Sequence, residues 1–249
     1  MVTIHAGATL ERPPGTKYQA ALHFAELSLP APLPRAATLG RWRADLGEDV
    51  EVALVAPRPT MVSPQGPLHL DDDLGEAVAW LLDAADALAA RALVFATGPE
   101  ITTGRRDRDR LARYFEQIPR EPGRLLVWAP GGLWEPELAI PQAEALGVLY
   151  GFDPLESPPP PGPVAYGRLR AAGGRQRYGE GVLLDVLDRL VSAAVPEAYV
   201  AIESPRSFRE ASNLQRLADE MTALAAEDED EDEDEDEVGE DDDPGGEAS

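Results

Sequence analysis

No cysteine occurs in this chain of 249 residues. Disulfides, thiolate nucleophiles and cysteine-rich zinc sites are therefore excluded, and a reducing compartment is the expected setting. Histidine is scarce too: His5, His23 and His69 form no HxxxH, HxH or HExxH pattern. A metal site would have to be assembled from distant strands, so none is expected; His5 with Glu26 and Glu203 is the one conceivable set. The phosphate fingerprints of the P-loop and of GxGxxG are missing, and neither Ser204 nor Ser207 sits in a GxSxG elbow, so no nucleotide or other cofactor is expected. No apolar run reaches the roughly 18 to 20 residues that span a bilayer. The opening MVTIHAG reads as a strand rather than a secretory leader. A soluble cytoplasmic protein without a membrane partner follows as the expectation.

Basic charge is in deficit, with 22 Lys and Arg against 46 Asp and Glu and a formal net charge of -24. The excess is uneven. From Glu227 to Ser249 there are 16 acidic residues and no basic one, which leaves -8 of the -24 for the body. Like charges without an apolar stripe cannot bury enough surface to offset chain entropy, so the reading is a folded domain over 1–226 and a disordered acidic tail over 227–249. The tail is either a solubilising segment or an arm for a basic protein partner. An acidic surface repels phosphate backbones, and direct nucleic-acid binding would need a local basic patch.

Against these absences stands a rhythm. Eight apolar runs recur at 3–7, 23–29, 50–57, 92–99, 124–130, 146–153, 164–170 and 198–205, most separated by helix-like stretches. Several are too uniformly apolar for a half-exposed strand, which suits a parallel sheet closed on itself and covered by helices. The pattern predicts an α/β fold: a compact eight-stranded TIM-type barrel whose site lies at the carboxyl ends of its strands. Helices are expected at 34–47, 71–91, 105–118, 135–146, 180–194 and 206–226, with Pro34 in the first turn of the earliest and Asp71, Asp72 and Asp73 opening the second. Two links are exceptions. Residues 8–22 leave room for little more than one helical turn, and 154–163 hold six prolines in ten residues, giving a stiff connector or a ligand for a proline-binding module.

From ATLGRWRADLGEDVEVALVAPR onward, the order of segments resembles the YecE-like family, known as domain of unknown function 72, whose members have an α/β-barrel fold and no settled activity. The likeness covers most of residues 2–220. It rests on Gly7, Glu26, the helix bearing Leu39, Trp42 and Arg43, Ala-Pro-Arg at 56–58, Pro99, Trp134, and Tyr166 with Arg168. The departures fall on polar positions. Where the resemblance implies a lysine and a threonine-histidine pair, the chain has Val55, Met61 and Val62. Ala96 replaces a glutamine, residues 128–131 replace Glu-x-Arg-His, Arg170 replaces a histidine, and Glu203 with Ser204 replaces Asn-Asn. The resemblance therefore implies a divergent barrel with weakened or lost catalysis, a small-anion or protein-binding module rather than an enzyme.

Two constellations remain. Glu26 and Glu203 lie near the ends of neighbouring strands and read either as a catalytic acid and base or as partners of a barrel arginine. With Arg168 holding an anionic substrate, the first reading gives a hydrolase or isomerase. Arg168 and Arg170 share a parity with Tyr166, and the glycine-rich loop after them adds Arg175 and Arg177. These five are the candidates for binding a small anionic ligand, with an internal ion pair and a solvated loop as the plainer alternative.

Overall fold

The computed structural model describes residues 2–171 and 177–237, with side chains described through 225. The chain runs β1 (Thr3–Leu10), α1 (Thr16–Gln19), β2 (Phe24–Leu27), α2 (Ala36–Asp45), β3 (Glu51–Val55), β4 (Val62–Ser63), β5 (Gly66–Pro67), α3 (Asp72–Ala87) and β6 (Ala92–Thr97). It continues with α4 (Arg105–Phe115), β7 (Leu125–Pro130), α5 (Pro136–Leu146), β8 (Leu149–Phe152), β9 (Val164–Arg170), α6 (Glu180–Ser192), β10 (Glu197–Glu203) and α7 (Ser207–Glu237). Strands β1, β10, β9, β8, β7, β6, β3 and β2 close a parallel barrel in that order, as the eight apolar runs predict. β4 and β5 form a separate antiparallel hairpin, which the sequence pattern did not announce.

Side-chain alternation divides the strands into two packing layers. Phe24, Val55, Val94, Val127, Tyr166, Tyr199 and Ala201 fill the barrel, while Ala6, Leu54, Phe95, Trp128 and Val200 face the helices. Small residues on β3 and β6, such as Ala53 and Ala92, leave the lumen to three rings: Phe24 meets Tyr199 edge-on at 5.1 Å and Tyr166 at 6.1 Å. Gly7 is required there, because a Cβ would stand 2.5 Å from both the Phe24 ring and its carbonyl oxygen.

Helix ends follow local chemistry. Asp71 caps α3 by accepting from the Leu74 N–H at 2.9 Å. Helix α2 starts two residues later than its proline suggested: Arg35 is the cap and Pro34 precedes it, its carbonyl taken by Trp80 Nε1. The 8–22 link holds the single short turn of α1, and 154–163 contains no helix. Helix α7 packs against β1 and β10 and is continuous to Glu237. The acidic tail expected from Glu227 lies outside the residues whose side chains are described, and from 238 onward outside the described residues altogether. Among the described residues no helix is long and apolar enough to cross a membrane.

Candidate functional site

Glu26 stands at the carboxyl end of the barrel, fully buried, on the inward parity of β2. Its Oε1 accepts from Thr9 Oγ1 at 2.8 Å and Arg168 Nη2 at 2.7 Å; its Oε2 accepts from Arg168 Nε at 2.9 Å and the Tyr166 hydroxyl at 3.0 Å. The arginine contact is a two-pronged, charge-assisted pair. Burial disfavours the Arg168 charge, yet the Glu26 carboxylate more than compensates, and the guanidinium pKa is raised. Burial, then the Glu26 charge, pushes the Tyr166 hydroxyl well above the usual phenol range. The register explains the meeting: Thr9 lies beside Glu26 across β1 and β2, and Tyr166 and Arg168 are two residues apart on β9.

Glu203 joins from β10. Arg168 Nη2 lies 3.6 Å from its Oε2, and Arg170 Nε donates to the same oxygen at 2.9 Å. Arg168 thus links the two carboxylates that the sequence singled out. Arg170 is 61% exposed and borders two open cavities. One, of about 400 Å³, is walled by Val55, Met61, Leu68 and Ile101 and carries Arg58 and Glu100. The other, of about 350 Å³, reaches Arg168 and is rimmed by Glu135, Asp153 and Glu156. Arg58, in the short turn after β3, was missed as a site residue, although it belongs to the Ala-Pro-Arg run. Of the proposed loop arginines, Arg177 is exposed and lines neither cavity, and Arg175 lies outside the described residues.

His5 is the clear misplacement. It sits near the start of β1, at the opposite end of the barrel from Glu26 and Glu203. Its ring stacks on Tyr199 at 4.7 Å, and its Nε2 is 3.5 Å from Glu197 Oε1. The Tyr199 hydroxyl contacts Glu51 Oε2 at 2.6 Å and Glu197 Oε1 at 2.9 Å, while Arg91 donates to the phenolic oxygen at 3.1 Å and lies 3.3 Å from Glu197. His5, Glu51 and Glu197 offer ligand atoms within 4.8 Å of one another, the one such group among the described residues. A cation there would compete with Arg91.

Fold and site together define a (β/α) barrel whose mouth is closed below by an internal ion pair and flanked by an exposed arginine. Solved structures with this fold include a DUF72 family protein of Enterococcus faecalis, 12% identical over 88% of this chain and 98% of that one, with a TM-score of 0.65. A DUF72 family protein of Thermotoga maritima is 14% identical, covers 88% of this chain and 99% of its own, and gives 0.62. Endonuclease IV of Thermus thermophilus gives 0.50 at 17% identity, over 86% and 97% of the two chains. No protein-family model matches the sequence, and no curated protein matches it.

Proposed function

We propose that the chain is a divergent member of the DUF72 family and that its barrel mouth binds a small organic anion without transforming it. The carrying observation is the division of labour among the arginines. Arg168 is committed to Glu26 in a buried pair, whereas Arg170 holds Glu203 through Nε and lines both open cavities, the first of which Arg58 lines as well. Two guanidiniums beside an apolar wall suit a carboxylate or phosphate carried on an apolar body.

The same geometry argues against Glu26 as an acid or base. Its four acceptor positions are all taken, so it has no free lone pair to offer a substrate, and Glu203 is tied to Arg170. The enzyme reading, a hydrolase or isomerase using Glu26 and Glu203, would need the Arg168 pair to open first.

Calorimetry with a series of aliphatic carboxylates tests the binding reading. Arg170→Gln and Arg58→Gln should each weaken binding about tenfold, the loss expected for one charge-assisted hydrogen bond. Identical heats in the double variant and the wild type would reject the mouth as the binding site. Turnover of any ligand that binds would reject its non-catalytic character.

A further inference from the structure

Helix α4 breaks the charge pattern of the whole molecule. In a chain of net charge -24, its eleven residues hold five arginines and two aspartates. Arg106, Arg110 and Arg113 are spaced at i, i+4 and i+7, so they share one face. That face is concave: the three arginines, with Leu68, His69 and Leu70 from the segment before α3, enclose about 220 Å³.

The arginines are not equivalent. Arg110 is mostly buried and held at 3.3 Å from Asp107, whose other oxygen takes the Thr102 N–H and hydroxyl at 2.9 and 2.7 Å. It is a fixed floor. Arg106 is exposed, and among the described residues it makes no salt bridge; Arg113 spends its Nε on the Asp109 carbonyl and likewise meets no carboxylate. His69 completes the wall. Its Nδ1 is shielded from solvent, makes no hydrogen bond and stands 4.0 Å from Asp71, whose other oxygen caps α3.

We propose that this cavity is a second anion site, separate from the mouth, which takes a phosphate monoester. Three guanidiniums converging from one helix offer more donors than a carboxylate can use, and a tetrahedral dianion provides the matching acceptors. Leu68 and Leu70 supply an apolar side for the ester group. The acidic remainder of the surface disfavours a long polyanion, so the ligand is compact: a free phosphorylated small molecule or one phosphorylated side chain of a partner protein. Leu68 also lines the mouth cavity, so one residue separates the two sites. Its φ of 51° places it in the left-handed region, and its N–H is fixed to the Met61 carbonyl at 2.7 Å.

The test is calorimetry on the full chain with inorganic phosphate, phenyl phosphate and a phosphoserine peptide, at constant ionic strength set with chloride. Phenyl phosphate should bind more tightly than inorganic phosphate. Arg106→Gln with Arg113→Gln should weaken both about tenfold or more. Arg105→Gln, on the same helix but outside the cavity, should leave both unchanged, and any separate binding lost with Arg170→Gln belongs to the mouth. Arg106→Lys with Arg113→Lys keeps the charge and should recover part of the affinity, and thermal melts of all variants confirm that they fold. A peptide that binds as tightly as phenyl phosphate identifies a protein-borne phosphate; one that does not identifies a free ester. Affinity that follows Arg170 instead of Arg106 and Arg113, or heats reproduced by chloride alone, would overturn the proposal.

Discussion

The two ends of the barrel use glutamate, tyrosine and arginine in different ways. At the carboxyl end, one glutamate receives four hydrogen bonds from a threonine, a tyrosine and an arginine. At the amino end, two glutamates share one phenolic hydroxyl and one arginine. A phenol has a single proton, so only one of Glu51 and Glu197 can receive it at a time. What differs is access to water: Glu26 is fully buried, whereas Glu51 and Glu197 remain 38% and 28% exposed. A buried carboxylate must be completely satisfied by the protein, and a rim carboxylate need not be.

The largest effect should come from breaking the buried end. Arg168→Met leaves Glu26 desolvated and unpaired, and should destabilise the fold by about 3 to 5 kcal/mol in urea. Glu26→Gln added to Arg168→Met removes the orphan charge and should recover part of that loss. A single variant as stable as the wild type would show that the pair contributes nothing.

Alkali loads both ends at once. Tyr166 and Tyr199 have pKa values raised above the ordinary phenol value, each chiefly by burial. Their contribution to stability is fully present below about pH 10, the unfolded value. Above it the unfolded chain releases protons that the folded chain keeps, so stability falls as pH rises. Tyrosinate absorbance should therefore lag a free-tyrosine curve and then rise together with unfolding. A smooth rise ahead of any loss of circular dichroism would contradict this.

Tyr199→Phe probes the exposed end alone. Water can replace the lost hydroxyl at Glu51 and Glu197, so the expected cost is about 1 kcal/mol, a typical net hydrogen bond. A loss as large as that of Arg168→Met would erase the distinction between the ends.

How much of this was legible in the sequence depended on which physical signal carried it. All eight barrel strands and six longer helices could be read, because apolar runs alternating with helical periodicity follow from burial of every strand on both faces. Two-residue parity on β9 grouped Arg168 with Arg170, and the family resemblance set Tyr166 and Arg168 beside Glu26, whereas Arg170 meets Glu203 instead. Height along the barrel was not legible. His5 shares the inward parity of Thr9 but lies four residues lower, and the register that sets Thr3 beside Glu197 and Thr9 beside Glu26 is a property of the closed barrel. Glu51, Arg91 and Glu197 were invisible as a cluster because charges at strand starts look like ordinary solubility. Arg58 and the β4–β5 hairpin sit in a connection that had no periodicity to read.

The smallest effect should follow removal of residues 227–249, which takes the formal charge from -24 to -8. Those sixteen carboxylates have no apolar stripe with which to pack on an acidic body, so the change in stability should stay within about 0.5 kcal/mol, a shift of about 2 °C in melting temperature. The effect of Arg168→Met should be the same in the shortened chain to within about 0.5 kcal/mol, since distant sites without shared partners act independently. If the segment is a docking arm, the full chain should capture basic proteins or polyamines at low salt, and the shortened chain should not. That capture should fade as added salt shortens the screening length to about 8 Å at physiological ionic strength. Loss of cooperative unfolding on truncation would instead make the segment part of the fold, and the boundary at Glu227 would have to move.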